Sequence, residues 1–182
     1  MSVTKLSYDH YGLTILDVDG DEYAVATNED KADEAAAAYI KDSLWAFTAE
    51  FIIDHSKLPY DAIEMIRSFQ QDKCEDANDT IAALIENMDE FVSDAISTDG
   101  RGHFLSPYDG KETSLKNIDQ EYWSQVLGAL DLGSKDLDSV LLYRINWICF
   151  FILAPSALKL GVIFFTQQPM NDRKITITPG SG

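Results

Sequence analysis

Apolar and polar positions change period along the chain, and each change predicts an element. Tyr11, Leu13 and Ile15 alternate with polar neighbours, as do Tyr23 and Val25 after Asp19-Gly20. Period two on either side of an Asp-Gly pair predicts a β-hairpin. At Asn28 the period lengthens. Thr27-Asn28-Glu29-Asp30 is close to a capping box, and it opens an Ala-rich stretch with acids in its first turn. Ile40, Leu44, Phe47 and Phe51 follow at helical spacing, and Trp45, Ile52 and Ile53 widen the stripe, which predicts one long, largely buried helix as far as His55. Pro59 starts a second helical stretch through Ile63, Ile66 and Phe69, and the pattern resumes after "CEDAND" with Ile81, Leu84, Ile85 and Met88. Phe91, Val92, Ala95 and Ile96 mark a further short amphipathic helix, or a continuation of the preceding one, that ends before Asp99-Gly100.

Residues 97–116, "STDGRGHFLSPYDGKETSLK", lose the helical period and are predicted to be a loop with a short strand at Phe104. Asp119 leads into a helix through Tyr122, Trp123, Val126, Leu127 and Leu130, stopped between Gly128 and Gly133. From Val140 the chain alternates again, with Tyr143, Ile145 and Trp147 set against Arg144 and Asn146, and "KLGVIFF" and "RKITIT" predict two further strands. The expected fold is α+β: an N-terminal β-hairpin and the C-terminal strand or strands form a small antiparallel sheet, covered on one face by a helical layer.

Charge divides this picture. The 182 residues carry 31 acids and 14 bases, a net charge of −17, but 30 of the acids and only 10 of the bases precede Arg144. Residues 1–146 are therefore expected to be a single α+β domain, and 147–182 an apolar, weakly basic extension that packs on the domain or self-associates through 147–178. Trp147–Phe165 contains one charge, Lys159, yet Pro155, Ser156 and Gly161 interrupt it, which favours two buried strands over a membrane span. Strong acidity argues against direct nucleic-acid binding and for a basic partner. Two cysteines, Cys74 and Cys149, build no disulfide framework, and "MSVTKLSYDHYG" has no apolar signal-peptide core, so a cytoplasmic location is expected.

Candidate chemistry is sparse. Asp17-Val18-Asp19-Gly20 resembles the nucleophile loop of haloacid-dehalogenase-type phosphatases, but Asp21 stands where that loop carries Thr or Val, and a second strand follows at once. As a calcium loop it fails too, because its Gly and closing Glu are misplaced. A hairpin turn is the better reading. No Walker loop, GxGxxG, HExxH or CxxC occurs, and no cofactor or metal is expected. The densest polar segment is Asp99-Gly100-Arg101-Gly102-His103 with Ser106, Tyr108, Asp109 and Lys111. Within it His103, with Asp99 or Asp109, is the candidate acid/base set of a hydrolase or nuclease-like enzyme, completed by Asp17 or Asp19. His10 and His55 are isolated, and both read as structural or exposed. Asp33, Asp42 and Glu50 on the polar helix faces, with Arg101 and Tyr108, are the candidate partner-binding residues.

Three segments, "ADEAAAAYIKDSLWAF", "DGRGHFLSPYDGKE" and "YRIN", resemble a family of small acidic tailed-bacteriophage proteins with no established activity, over about residues 14–146. The resemblance implies an accessory role in the host cytoplasm and supplies no catalytic residue. Members finish soon after the "YRIN" strand, whereas this chain runs 36 residues further. Together with the charge it leads to an expected function: binding a basic site on a host protein through an acidic helical face, as a nucleic-acid mimic or an inhibitor of a defence factor.

Overall fold

A computed structural model describes residues 2–145. By its internal contacts the chain divides after Asn146, and the described residues belong to the first unit. The predicted strands and self-association surface in 147–182, and the apolar Trp147–Phe165 stretch, lie outside them.

The sheet has five antiparallel strands, β1 (Val3–His10), β2 (Leu13–Val18), β3 (Asp21–Ala26), β4 (Thr113–Ser114) and β5 (Leu141–Arg144), in the order β1-β2-β3-β5-β4. The expected hairpin is β2–β3, with Val18 opposite Asp21 and Asp19-Gly20 between them at φ 53° and 95°. Positive φ at both central residues matches the right-handed twist of the strands. Asp17 fixes this turn by accepting from the Gly20 N–H at 3.1 Å, so the phosphatase-like string is a hairpin turn. Tyr11 is not a strand residue. It and Gly12, at φ 53° and 81°, form a second two-residue turn between β1 and β2, in which Asp9 accepts from the Gly12 N–H at 2.9 Å.

Helices cover the sheet on both faces, not one. Leu13, Ile15, Ala24, Ala26, Leu141 and Tyr143 point to α1 (Glu29–Asp42), whose Ala32, Ala35 and Ala36 form a small-residue stripe facing the sheet. Their alternates Leu16, Val25 and Leu142 point the other way, to Val126 and Leu127 of the 120–129 helix described below. Period two on both faces is what a sheet buried between two layers requires.

The rest of the helical layer builds a core of its own. The predicted long helix is broken: after α1 come one 3₁₀ turn (Leu44–Ala46), extended Phe47, and α2 (Ala49–Asp54), whose N-cap Thr48 accepts from the Phe51 N–H at 3.3 Å. Polar side chains stabilise the break. Gln70 Nε2 donates to the Trp45 and Phe47 carbonyls at 2.8 and 2.7 Å, and Asn78 accepts from the Trp45 N–H and donates to the Lys41 carbonyl at 2.9 and 3.0 Å. Backbone groups lost to the helix ladder are thereby paired. α3 (Ile63–Lys73), α4 (Asn78–Leu84) and α5 (Met88–Asp99) close this core around Ile52, Ile66, Ile81 and Phe91. The predicted strand at Phe104 is instead a short helix, α6 (Arg101–Leu105), and α7 (Gln120–Ala129) lies on the far face of the sheet.

Candidate functional site

The 97–116 segment folds as a clamp rather than an open loop. Gly100, at φ 78° and ψ 154°, separates α5 from α6. A Cβ on Gly102 would lie 2.6 Å from the Gly110 carbonyl oxygen and 2.7 Å from the Glu112 nitrogen, so α6 meets the incoming chain backbone to backbone. That approach places Arg101 against Glu112: Nε donates to Oε2 at 2.8 Å and Nη2 to Oε1 at 3.0 Å, while Nη1 donates to Asp33 at 3.2 Å. The Tyr143 hydroxyl donates to the same Glu112 at 2.5 Å. Burial works against the Arg101 charge, but Glu112, Tyr143 and Asp33 more than offset it and raise its pKa. Burial, then the Glu112 bond, pushes the Tyr143 hydroxyl far up. Its proton stays in place.

The second half of the clamp grips β5. Ser106 Oγ lies 2.8 Å from Asp109 Oδ1 and 2.9 Å from the Arg144 carbonyl, so one proton is shared between two acceptors. Tyr108 stacks on Arg144, with Cζ 4.0 Å above the ring centroid, and Arg144 also pairs with Asp21.

These contacts rearrange the candidate sites. His103 is half-buried on α6 with its ring edge-on to Phe104 at 5.0 Å, and no hydrogen bond or ion pair joins it to Asp99 or Asp109. Asp99 is exposed at the end of α5, whereas Asp109 is held by Ser106 and the Lys111 N–H. Asp17 binds its turn, and Asp19 accepts from the Ser2 N–H at 2.7 Å and the Tyr122 hydroxyl at 3.0 Å, bonds that lower its carboxyl pKa. The proposed acid/base set is thus not assembled. Among the described residues no group of three His, Cys, Asp or Glu side chains is placed to hold a metal, and no helix is long and apolar enough to cross a membrane.

Of the partner-binding candidates, Arg101 is turned inward with 17% of its side chain exposed, Tyr108 is 39% exposed and carries Arg144, and Glu50 pairs with Arg67. Asp33 and Asp42 are nine positions apart on α1, roughly half a turn around its axis, so they share no face. The carboxylates gather elsewhere. A cleft of about 550 Å³ between α2 and α5 is lined by Asp54, Glu86, Glu90 and Asp94, with Phe51 and His55 in its wall and, among the described residues, no lysine or arginine. His55 Nδ1 lies 2.9 Å from the Phe51 carbonyl oxygen and Nε2 3.2 Å from Asp94 Oδ2. Asp94 is 39 positions from His55, a separation at which no local spacing signals a pair.

Compared with family models, curated proteins and solved structures, the chain matches none.

Proposed function

We propose that this chain is a non-enzymatic interaction protein that docks a basic site on another protein against its helical layer, with the α2–α5 cleft as the point of strongest attraction. One observation carries this reading. Residues 28–99 hold 18 acids against 5 bases, and four of those acids line one concave site to which the described residues bring no lysine or arginine. Clefts of a single sign focus the field and raise the encounter rate of oppositely charged partners. The resemblance of three segments to small acidic tailed-phage proteins supports a host protein as the partner and the host cytoplasm as the place. Occupation of a nucleic-acid-binding surface, or inhibition of a defence factor, is the mode that such charge favours.

Affinity capture from a bacterial lysate tests it, at about 50 mM and about 500 mM NaCl, with the retained proteins identified by mass spectrometry. Basic proteins should be retained at low salt, released at high salt, and lost when Asp54→Asn, Glu86→Gln and Glu90→Gln are combined. Partners indifferent both to salt and to the triple variant would reject the reading.

A further inference from the structure

We propose that His55 is a proton-dependent latch: with both ring nitrogens protonated it ties α2 to α5, and with one proton fewer it releases Asp94 and opens the acidic cleft. The argument is one of donors and acceptors. Nδ1 faces the Phe51 carbonyl oxygen and Nε2 faces the Asp94 carboxylate, so each nitrogen meets a group that only accepts. A neutral imidazole has one N–H and one lone pair and satisfies a single partner of this kind. The imidazolium satisfies both.

The surroundings decide which bond yields. The His55 side chain is 11% exposed, with the Phe51 ring centroid at 4.5 Å and that of Phe91 at 5.1 Å, so the ring is held in place. Asp94 is 55% exposed and has water as an alternative partner. In this latch the one remaining proton stays on Nδ1, against the Phe51 carbonyl of the last turn of α2. Loss of a proton to solvent therefore empties Nε2, sets its lone pair against a carboxylate 3.2 Å away, and turns Asp94 outward. Among the described residues, the other charged groups that line the cleft with the ring are acidic: Asp54 from α2, Glu86 from the segment before α5, and Glu90 from α5. None replaces the lost donor. Beyond the latch, α2 and α5 are joined here by the Phe51–Phe91 contact at 4.8 Å, and the segments that follow α2 and precede α5 by the Ser56–Ile85 bridge and the Glu86 N–H donating to the His55 carbonyl at 2.9 Å. The last of these bonds lies next to the latch and reports on it.

Opening also changes the cleft's charge, since four carboxylates and an imidazolium become four carboxylates and a neutral ring. This consequence for a cationic partner rests on the docking reading above; the latch does not. The test is long-range ¹H–¹⁵N NMR of the His55 ring, with hydrogen exchange of the Glu86 amide, on the full chain between about pH 5 and 8. Asp94→Asn is the comparison, because its amide accepts from Nε2–H or donates to bare Nε2 and so keeps the contact in either charge state. The parent should lose its Nε2 proton and retain Nδ1–H, and its Glu86 amide should lose several-fold more protection across this range than that of Asp94→Asn. A neutral ring protonated at Nε2, or identical Glu86 profiles in the two proteins, would overturn the latch. A hexalysine peptide titrated in the same samples separates the two claims: a working latch with no pH dependence of peptide binding supports the latch and counts against docking.

Discussion

Gly102 shows how closely single residues set the clamp. Its missing Cβ lets α6 touch the backbone of residues 110–112, and only that approach brings Arg101 within reach of both Glu112 oxygens. Gly102→Ala forces a methyl group against backbone, so it should cost about 1–3 kcal/mol in urea melts. A variant as stable as the parent would mean that the two segments move apart freely. His10 supplies a pH-dependent case. Burial lowers its pKa, partly offset by Asp9, and Nε2 is buried without a partner among the described residues. The unfolded chain then takes up a proton more readily than the folded one, so this residue costs stability as pH falls through about 6.5. His10→Phe keeps the edge contact that His10 makes with Tyr11 at 5.1 Å. It should gain about 1 kcal/mol near pH 8 from removing the unpaired nitrogen, and more near pH 5. Thermal melts at the two pH values decide, and an equal gain at both would reject the linkage. Single residues were also where the sequence was least legible. His103 stands out in a polar string, but its ring packs edge-on to Phe104, whereas His55 looks isolated and meets a carboxylate from another helix.

Elements were legible where a local pattern alone determines them. Asp19-Gly20 between alternating runs gives the β2–β3 hairpin, and the 3.6-residue stripes give α1, α5 and α7. The break between α1 and α2 was hidden because its cause is remote: the carbonyls of Trp45 and Phe47 are paired by Gln70, more than twenty positions on. α6 was hidden for another reason, since glycines on both sides of Arg101 erase helical propensity while the packing of Phe104 and Leu105 restores the helix. The break makes a prediction. Gln70→Met keeps size and flexibility but leaves two partly buried carbonyls unpaired, a loss of roughly 1–3 kcal/mol in denaturant melts. Gln71→Met, at an exposed neighbouring position, should change little. Equal effects would mean that the break is held by its apolar contacts alone.

For the molecule as a whole, the sequence showed the fold class but not the layering. An amphipathic helix such as α7 carries one apolar stripe and nothing that says which face of a sheet will receive it. The α1-facing residues of the sheet are matched by its Ala stripe, and Leu16, Val25 and Leu142 are left for α7. The concentration of acids in residues 28–99 is legible in the sequence, whereas their convergence on one cleft depends on how α2 and α5 cross. This charge acts on stability before any partner arrives. With 18 acids against 5 bases over that segment, like-charge repulsion dominates, and surface pairs such as Lys73–Asp72 return little. Screening acts over about 10 Å at 0.1 M salt and about 3 Å at 1 M, so added NaCl should raise the melting temperature, most steeply at low ionic strength. Glu86→Gln with Glu90→Gln should raise stability at low salt and flatten the salt dependence. A melting temperature that falls with NaCl would mean instead that attractive pairs govern the surface. If neutralising the cleft stabilises the chain while weakening its capture of basic proteins, the same carboxylates oppose folding and drive association, and a cationic partner would relieve the repulsion that the free protein carries.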